Sequence, residues 1–443
     1  MPGPTEESGP RPTMYEASGP LRGTIRVPGD KSISHRALIC AAMAVGRSRI
    51  EGLSDGGDVR STASALRAMG VRIERDGPDW TVDGVGAGGL LQPEGPLDMG
   101  NSGTSTRLLM GLVAAHPIAA AFTGDCSLSR RPMERVAAPL RRIGAEVAAA
   151  PGGRLPLTVR GLCPAVPRRH LITLPSAQVK SALLFAALNI PGLTRVAEAV
   201  PTRDHSERML KLFGADIRME GGEIALRGEA ELRPQPLTIP GDPSAAAFLA
   251  VAALVVPGSE LTIEGVGVNP SRTGLFELLV EMGADLSFSD PRESGGEPVA
   301  DLSVRHSSLR GIDVPPELAP RMIDEYPILF VAAAFARGTT RTSGLGELRF
   351  KESDRLAAMA EGLRAIGARV EDVADGLTIE GTGGEPVPGG ATIDPRLDHR
   401  VAVSFAVAGL NCREGIRIND MSVADTSFPG FAILLAALGS NCA

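Results

Sequence analysis

The sequence has few or none of several features that define large classes of proteins. Aromatic residues make up only 3% of the 443 residues, so Leu, Val, Ile and Ala must build the interior. The five cysteines are scattered and odd in number, with no CxxC pair, and the six histidines do not occur at metal-ligand spacing. These absences argue against a disulfide framework and a zinc site, so we expect a reducing, cytoplasmic location and no metal.

Charge and hydropathy exclude two further classes of partner. The formal net charge is −7, whereas nucleic-acid and anionic membrane surfaces attract broad clusters of Lys and Arg. Apolar runs are interrupted before about 18 residues, which is short of a membrane span. The first twenty residues are rich in Pro, Gly and Glu, with neither a basic start nor an apolar run, so residues 1–20 are predicted to be a disordered arm rather than a signal peptide. We expect neither a nucleic-acid nor a membrane partner.

Common nucleotide and hydrolase motifs are also missing. No GxGxxG or GxxxxGK[ST] loop follows an expected strand, and GxSxG does not occur. Dinucleotide, nucleoside-triphosphate and serine-hydrolase chemistry therefore have no support from motifs.

What the sequence does contain is a phrase repeated six times. An apolar helical run ends in Gly and a short strand follows, as in LRAMGVRIE and LRAIGARVE. The glycines are 69 to 84 residues apart, at the point where a helix end favours a positive φ; they are Gly70, Gly144, Gly214, Gly283, Gly367 and Gly439.

A second phrase alternates with the first, in which a short polar opening leads into an apolar helix. The six copies begin GDKSISHRAL, GNSGTSTRLL, PSAQVKSALL, GDPSAAAFLA, IDEYPILFVA and LDHRVAVSFA. Such helices should be buried, with their polar N-terminal ends at a common surface. Free N–H groups at helix starts favour anions, so a phosphate or carboxylate ligand is indicated, although simple helix capping would explain any one opening.

Six copies divide into three and three, and the length exceeds the roughly 250 to 300 residues that one core supports. The Pro- and Gly-rich stretch from Leu232 to Ser244 is the candidate junction. A ligand is expected in the cleft between the two lobes.

Charged residues gather at several openings. The acids Asp324 and Glu352 are candidates for proton transfer, although Asp324 could simply cap its helix. Lys351 and Arg355 are four residues apart and would share one helical face, and in isolation KESDR would be an ordinary salt-bridged surface helix. The other charged or polar positions at the openings are Lys31, Ser32, His35, Arg36, Arg107, Arg130, Arg131, Asp354, Asp398, His399 and Arg400.

In this combination and order, the motifs resemble the 5-enolpyruvylshikimate-3-phosphate synthases, from about Gly23 to the C-terminus. The motifs are GDKSISHRALICAAMA, GNSGTSTRLL, SLSRRPM, SAQVKSALL, KESDRL and DHR, with TRDHSERML and MIDEYPIL similar to the class II branch. The resemblance implies a two-domain inside-out α/β barrel of six βαβαββ-type repeats, joined by a double crossover. The expected lobes are residues 29–240 and residues 21–28 with 241–443, with the active site between them.

The family resemblance also implies a reaction and its residues. An enolpyruvyl group would pass from phosphoenolpyruvate to the 5-hydroxyl of shikimate-3-phosphate, releasing phosphate, without metal or cofactor and in a monomer. Asp324 would accept the hydroxyl proton, and Glu352 with Lys31 would move the methyl-group proton. The implied shikimate-3-phosphate contacts are Lys31, Ser32, Arg36, Ser176, Ala177, Gln178, Arg203, Asp324 and Lys351. The implied phosphoenolpyruvate contacts are Lys31, Gly103, Arg131, Gln178, Arg355 and Arg400.

Two positions qualify the resemblance. Some relatives have Lys before a Thr-Phe-Pro motif, whereas Thr426 stands there in this chain. Relatives that resist glyphosate can carry Ala where this chain has Gly103, so we expect glyphosate to compete with phosphoenolpyruvate here.

Two other functions remain open at this stage. UDP-N-acetylglucosamine enolpyruvyl transferases share the repeat fold and use a cysteine five residues before an Arg-Pro pair, a spacing that Cys126 has to Arg131. Against this, they open with Lys-Asn where this chain has Lys31-Ser32. A non-catalytic anion-binding repeat protein is the second alternative, and it would have no use for Asp324 and Glu352.

Overall fold

The computed structural model describes residues 9–440 and divides into two compact units. One, here called the N-unit, comprises Pro28–Pro240 and Arg292–Val299. The other, the C-unit, comprises Met1–Val27, Gly241–Pro291 and Ala300–Ala443. Each unit has a hydrophobic core of its own, built mainly from aliphatic side chains as the low aromatic content requires.

Short strands and helices alternate along the chain. In chain order the strands are β1 (Thr13–Tyr15), β2 (Arg22–Ile25), β3 (Val45–Glu51), β4 (Arg72–Asp76), β5 (Asp79–Val85), β6 (Leu97–Asp98), β7 (Ala119–Thr123), β8 (Glu146–Ala150), β9 (Arg154–Arg160), β10 (Arg169–Ile172), β11 (Leu193–Glu198), β12 (Asp216–Glu220), β13 (Glu223–Arg227), β14 (Pro236–Thr238), β15 (Glu260–Gly267), β16 (Asp285–Ser294), β17 (Glu297–Arg305), β18 (Arg337–Arg341), β19 (Arg369–Val373), β20 (Gly376–Thr382), β21 (Ala391–Ile393) and β22 (Ile416–Ile418). The α-helices are α1 (Lys31–Met43), α2 (Gly57–Ala68), α3 (Gly103–Ala114), α4 (Glu134–Arg142), α5 (Ala177–Ala187), α6 (His205–Leu212), α7 (Pro243–Val255), α8 (Gly274–Glu281), α9 (Ala319–Met322), α10 (Tyr326–Phe335), α11 (Arg355–Ala365), α12 (His399–Gly409) and α13 (Phe431–Ala437).

The strands between residues 9 and 440 form six small sheets, three in each unit, as the six-fold sequence repeat predicts. The N-unit sheets have the orders β14-β3-β5-β4, β6-β7-β9-β8 and β10-β11-β13-β12. In each of them the first pair is parallel and the other two pairs are antiparallel. The C-unit sheets are β16-β17-β15-β2, β18-β20-β19 and β1-β22-β21.

One helix of each repeat is buried on all sides. Every residue of α7 and of α10 is buried, and α1, α3, α5 and α12 are buried over most of their length. The second helix of each repeat ends at the glycines that the sequence singled out, and all six have positive φ, between +87° and +107°. The predicted helix ends are therefore confirmed. Glycine suits these positions, because a side chain would strain the backbone at a positive φ.

Two sequence expectations differ from the structure. The disordered arm is wrong for Thr13–Tyr15, which pair antiparallel with β22, while Tyr15 is fully buried. Burial of that aromatic ring and the sheet hydrogen bonds offset the conformational entropy that this segment loses on becoming ordered. Residues 1–8 of the arm lie outside the described residues. The expected lobe 241–443 also included Arg292–Val299, which belong instead to the N-unit. In this segment, buried Glu297 contacts His205 Nδ1 of the N-unit at 2.7 Å.

Among residues 9–440, no helix is both long enough and apolar enough to cross a membrane.

Candidate functional site

The buried helices begin with side-chain caps. Asp30 Oδ1 accepts from Ile33 N at 2.8 Å at the start of α1, and Ser102 Oγ accepts from Ser105 N at 3.1 Å at the start of α3. Ser176 Oγ accepts from Val179 N at 3.3 Å, so α5 begins at Ala177. The capping interpretation is confirmed at these openings, and it fixes the positions of the residues that follow each cap.

Lys31 is the first residue of α1 and makes an ion pair with α2. Its Nζ lies 2.9 Å from Asp58 Oδ2, and both side chains are largely buried. The backbone carbonyl of Asp58 accepts from Ser105 Oγ at 3.0 Å, and Ser105 Oγ lies 2.7 Å from Thr62 Oγ1, which contacts His35. Hydrogen bonds therefore join the beginnings of α1, α2 and α3.

Arg36 lies one turn further along α1 and is 2% exposed. Its guanidinium donates to Ser206 Oγ at 2.8 Å, to Ser181 Oγ at 2.7 Å and to the carbonyl of Ser32 at 2.7 Å. Burial lowers the pKa of Arg36 to about 10, the nearby Glu207 and Asp30 oppose this, and the positive charge of Arg203 adds to it. Arg36 stays charged at neutral pH, and Arg203 is close enough to repel it.

A second group surrounds the start of α3. Gln178 Oε1 accepts from Arg107 Nη1, while Gln178 Nε2 donates to Thr104 Oγ1 at 3.0 Å. A β-carbon placed on Gly103 would lie 3.1 Å from Arg131 Nη1 and 3.3 Å from Arg107 Nη1. Gly103 therefore lies against two guanidinium groups, with no room to spare for a side chain.

Arg131 is held by the segment before α3 and by the segment after β7. It is 6% exposed, and its Nη2 donates to Asn101 Oδ1 and to Ser127 Oγ, the latter at 3.1 Å. Lys31, Ser32, Arg36 and Arg203 thus form one group of the N-unit, and Gly103, Arg131 and Gln178 form another. Ser181 joins the Arg36 group to the start of α5, since its hydroxyl donates to the carbonyl of Ala177 at 2.6 Å.

In the C-unit the predicted residues meet at Arg355, the first residue of α11. Its side chain is 1% exposed. Nε donates to Asp398 Oδ2 at 2.8 Å, Nη1 lies 3.4 Å from Asp324 Oδ1, and Nη2 donates to Glu352 Oε2. Burial alone would lower the pKa of Arg355, but Asp398, Glu352 and Asp324 together raise it. Three carboxylates therefore fix one charged guanidinium.

Lys351 and Arg400 complete this group. Lys351 Nζ lies 3.3 Å from Asp324 Oδ1, and Arg400 Nη1 donates to the backbone carbonyl of Asp324 at 3.0 Å. The predicted C-unit residues Asp324, Lys351, Glu352, Arg355 and Arg400 thus lie together.

Three local interpretations of the sequence were wrong. Asp324 does not cap α10, since Glu325 occupies the N-cap position without a side-chain cap bond. Lys351 and Arg355 do not share a helical face, because Lys351 is extended and α11 begins at Arg355. KESDR is not a solvated surface helix, because Arg355 is buried among acids from the N-cap of α12 and from the turn before α10.

The structure adds residues that were not among the predicted site residues. Asp398 binds Arg355 and caps α12 through Arg400 N at 3.0 Å, and it was visible in the sequence as the first residue of DHR. Arg107, in GNSGTSTRLL, was visible in the same way. Asp58 and Asn101 are separated in sequence from the residues that they bind. Asn101 lies in GNSGTSTRLL but was not singled out there, and Asp58 lies outside the motifs. Among residues 9–440, no group of three or more His, Cys, Asp and Glu residues could hold a metal ion.

Comparisons with known proteins bear on this arrangement. The family profile of EPSP synthase (3-phosphoshikimate 1-carboxyvinyltransferase) matches residues 15–435. A 3-phosphoshikimate 1-carboxyvinyltransferase of Sphingopyxis alaskensis is 60% identical over 437 residues, covering 96% of this chain and 98% of the relative. One from Novosphingobium aromaticivorans is 58% identical over 434 residues, covering 96% of this chain and 98% of the relative.

Solved structures agree with the fold. An EPSP synthase from Acinetobacter baumannii is 42% identical, with a TM-score of 0.87 over 98% of this chain and 99% of that one. The enolpyruvyl transferase NikO from Streptomyces tendae, at 19% identity, has a TM-score of 0.79 over 98% of this chain and 99% of that one. The fold is therefore the enolpyruvyl transferase fold that the family resemblance implied, and it agrees with the six repeats. With a profile match over most of its length and relatives near 60% identity from end to end, the chain belongs to the EPSP synthase (3-phosphoshikimate 1-carboxyvinyltransferase) family.

Proposed function

We propose that this chain transfers the enolpyruvyl group of phosphoenolpyruvate to the 5-hydroxyl of shikimate-3-phosphate and releases phosphate. The observation that carries the proposal is the group around Arg355, in which two acids suited to proton transfer, Asp324 and Glu352, contact the same buried cation. A protein that only bound anions would gain nothing from two such carboxylates, because they repel an anionic ligand.

Both substrates carry several negative charges, so binding requires neutralisation. Arg binds phosphate and carboxylate through paired hydrogen bonds, and helix starts add free N–H groups. Residues proposed to bind shikimate-3-phosphate are Lys31, Ser32, Arg36, Ser176, Ala177, Gln178, Arg203, Asp324 and Lys351. Those proposed to bind phosphoenolpyruvate are Lys31, Gly103, Arg131, Gln178, Arg355 and Arg400.

The reaction is an addition followed by an elimination. The methylene carbon of phosphoenolpyruvate gains a proton from Glu352 or Lys31, and the 5-hydroxyl oxygen bonds to the adjacent carbon while Asp324 accepts the hydroxyl proton. The tetrahedral intermediate then loses phosphate as its C–O bond breaks, and Glu352 removes a proton from the new methyl group. The double bond is thereby restored and no redox change occurs.

The surroundings of Asp324 suit a base. Lys351 and Arg355 lie 3.3 and 3.4 Å from the same oxygen, Oδ1, and these two cations favour the carboxylate form. Since Arg400 holds the backbone carbonyl of Asp324, the carboxylate has a defined position from which to accept a proton.

A phosphate-release assay tests the proposal. The purified chain should release phosphate from phosphoenolpyruvate with shikimate-3-phosphate and not with UDP-N-acetylglucosamine, and glyphosate should compete with phosphoenolpyruvate. Asp324→Asn should reduce kcat by about 10²- to 10⁴-fold, since general base catalysis contributes about that much. Lys211→Met, a change on an exposed face of α6, is the control. Turnover with the UDP-sugar, or full activity in Asp324→Asn, would contradict the proposal.

A further inference from the structure

Residues 199–204 join β11 to α6 without regular secondary structure, and they carry Arg203. The proposed function assigns Arg203 to shikimate-3-phosphate together with Arg36, and its positive charge acts on Arg36. Two like charges repel one another, so a loop that keeps Arg203 beside Arg36 before substrate arrives needs its own support. The motif TRDHSERML contains part of that support, in Thr202 and Glu207, although only its arginine entered the proposed function.

Lys180 lies at the centre of the support. Its side chain is 1% exposed, in the first turn of α5. The ammonium lies 2.9 Å from Glu198 Oε2 and 2.8 Å from Glu207 Oε1, and it donates to the backbone carbonyl of Thr202 at 3.2 Å. One buried cation thus contacts the end of β11, the loop and the first turn of α6, and three acceptors match the three protons of an ammonium group.

Thr202 adds a second contact to the same acid. Its Oγ1 donates to Glu198 Oε1, while Glu198 Oε2 faces Lys180. The residue directly before Arg203 is therefore held through both its backbone carbonyl and its side chain. Little conformational freedom remains at Thr202, so the direction in which the chain enters Arg203 is defined.

Glu207 links this support to Arg36. Burial raises the pKa of Glu207, and the nearby Lys180 opposes that rise. Glu207 also stabilises the charged form of Arg36, against the burial that lowers the pKa of that guanidinium. Lys180, by contacting Glu207, fixes an acid that offsets part of the repulsion among the cations gathered there.

We propose that Lys180 is a positioning residue for shikimate-3-phosphate: through Glu198, Thr202 and Glu207 it holds residues 199–204 so that Arg203 stands beside Arg36 in its binding orientation. This inference rests on the proposed function, because it takes Arg203 as a substrate contact. It adds that Lys180 acts without touching the substrate, by reducing the conformational freedom that binding would otherwise remove.

A purely structural role for Lys180 makes a different prediction. Loss of a structural ion pair would lower the melting temperature and the amount of active protein, with no selectivity between the two substrates. A positioning role predicts weaker binding of shikimate-3-phosphate, with the KM for phosphoenolpyruvate at saturating shikimate-3-phosphate unchanged. The two substrates therefore provide the readout that separates the roles.

The test begins with substitutions that change no charge. Thr202→Val removes the hydroxyl at nearly constant shape, and Thr202→Ser keeps it. Lys180→Met combined with Glu198→Gln removes one positive and one negative charge together. Lys211→Met, an exposed lysine of α6, is the matched control. Circular dichroism confirms folding, calorimetry gives the Kd of shikimate-3-phosphate, and steady-state kinetics gives both KM values.

We expect Thr202→Val to raise the Kd of shikimate-3-phosphate about fivefold to tenfold, as the typical net contribution of one hydrogen bond implies. Lys180→Met/Glu198→Gln should raise it further, while Thr202→Ser and Lys211→Met remain within about twofold of the parent chain. An unchanged Kd in folded Thr202→Val and folded Lys180→Met/Glu198→Gln would overturn the proposal. So would an equal rise of the KM values for both substrates.

A double-mutant cycle with Arg203→Ala separates this proposal from the proposed function. If Lys180 acts through Arg203, Thr202→Val should have no further effect on the Kd in the Arg203→Ala background. A Thr202→Val effect that persists there would overturn the positioning role while leaving the enzyme's turnover intact. Absence of phosphate release by the unaltered chain with both substrates would instead refute the proposed function itself.

Discussion

Asp398 offers a direct test of how the C-unit site is held, because one carboxylate performs two separable tasks. Oδ2 accepts from Arg355 Nε at 2.8 Å and from Ser353 Oγ at 3.0 Å, whereas Oδ1 accepts from Arg400 N and caps α12. Asp398→Asn keeps the cap and the shape and removes the charge. Asp398→Ala removes both, so the difference between the two variants isolates the cap.

The magnitude follows from burial. Asp398 is fully buried and the side chain of Arg355 is 1% exposed. Breaking a buried ion pair costs about 3 to 5 kcal/mol. Glu352 and Asp324 still face the guanidinium after the change, so we expect about 2 to 3 kcal/mol for Asp398→Asn. Asp398→Ala should cost about 1 kcal/mol more, the usual contribution of a helix cap.

A kinetic effect should accompany the loss of stability. Without the charge of Asp398, the guanidinium of Arg355 is attracted towards Glu352 and Asp324. It then leaves the orientation that the hydrogen bond from Nε to Asp398 sets. Since Arg355 is proposed to bind phosphoenolpyruvate, its KM should rise about tenfold, the equivalent of one charge-assisted hydrogen bond. The KM for shikimate-3-phosphate should change less, because Arg355 is not among its proposed contacts.

Urea unfolding followed by circular dichroism gives the change in stability, and steady-state kinetics gives the KM values. Asp394→Asn is the matched control: Asp394 is exposed, four residues before Asp398, and its loss should cost no more than about 0.5 kcal/mol. Equal stability of Asp398→Asn and the parent chain, together with an unchanged KM for phosphoenolpyruvate, would refute this account of Arg355.

Three further outcomes are expected. Gly103→Ala places a β-carbon 3.1 Å from Arg131 Nη1 and 3.3 Å from Arg107 Nη1. The displaced guanidinium groups should raise the KM for phosphoenolpyruvate by up to about tenfold and the glyphosate inhibition constant by more. Inhibition kinetics in which both constants rise by the same factor would contradict this. Burial, with help from nearby arginines, lowers the pKa of His170 from 6.5 to about 4, so its contribution to stability is present above pH 6.5 and is lost as pH falls to 4. Relative to His170→Gln, the parent chain should lose up to about 3 kcal/mol over that range in urea titrations, and parallel pH profiles would contradict the assignment. Cys126→Ala should retain full kcat in the phosphate-release assay, since the exposed thiol has no role in the proposed reaction, and a loss of activity would favour the UDP-N-acetylglucosamine alternative.

The overall architecture could be predicted because its determinants are local. A glycine at each helix end needs a positive φ, and an apolar helix behind a polar cap needs burial, so six copies of both phrases indicate six similar units. The six sheets, three in each unit, follow that repeat. Local chemistry also located most charged residues at helix starts.

The partners of those residues could not be predicted from local chemistry. Asp324 was open to interpretation as a cap because it precedes an apolar helix, yet its carboxylate contacts residues 27 and 31 positions further along the chain. Arg355 lies in a highly charged run typical of a surface, yet carboxylates from separate segments allow it to be buried. Contacts of this kind depend on tertiary packing, which local patterns do not encode.

Tyr15 illustrates the same limit at the N-terminus. The composition of residues 1–20 favours disorder, but one strand of three residues pairs with β22 and buries the aromatic ring. A short segment with few apolar residues can be ordered when a sheet edge is available to it. Composition averages over the segment and cannot identify the three residues that pair.

The two groups of charged residues differ in a way that suits different tasks. In the N-unit, Arg36 donates to two hydroxyls and a carbonyl, which are neutral acceptors, while Glu207 and Asp30 also favour its charged form. In the C-unit, Arg355 contacts three carboxylates. A cation whose hydrogen-bond acceptors are neutral can attract a phosphate strongly, because those acceptors do not cancel its charge.

A cation shared among several carboxylates instead holds acids close together in their charged forms, in which each can accept a proton as the substrate changes charge. Phosphate binding should therefore depend mostly on the N-unit group and proton transfer on the C-unit group. The substitutions above separate these two tasks, because Thr202→Val acts on a substrate affinity, whereas Asp324→Asn acts on kcat.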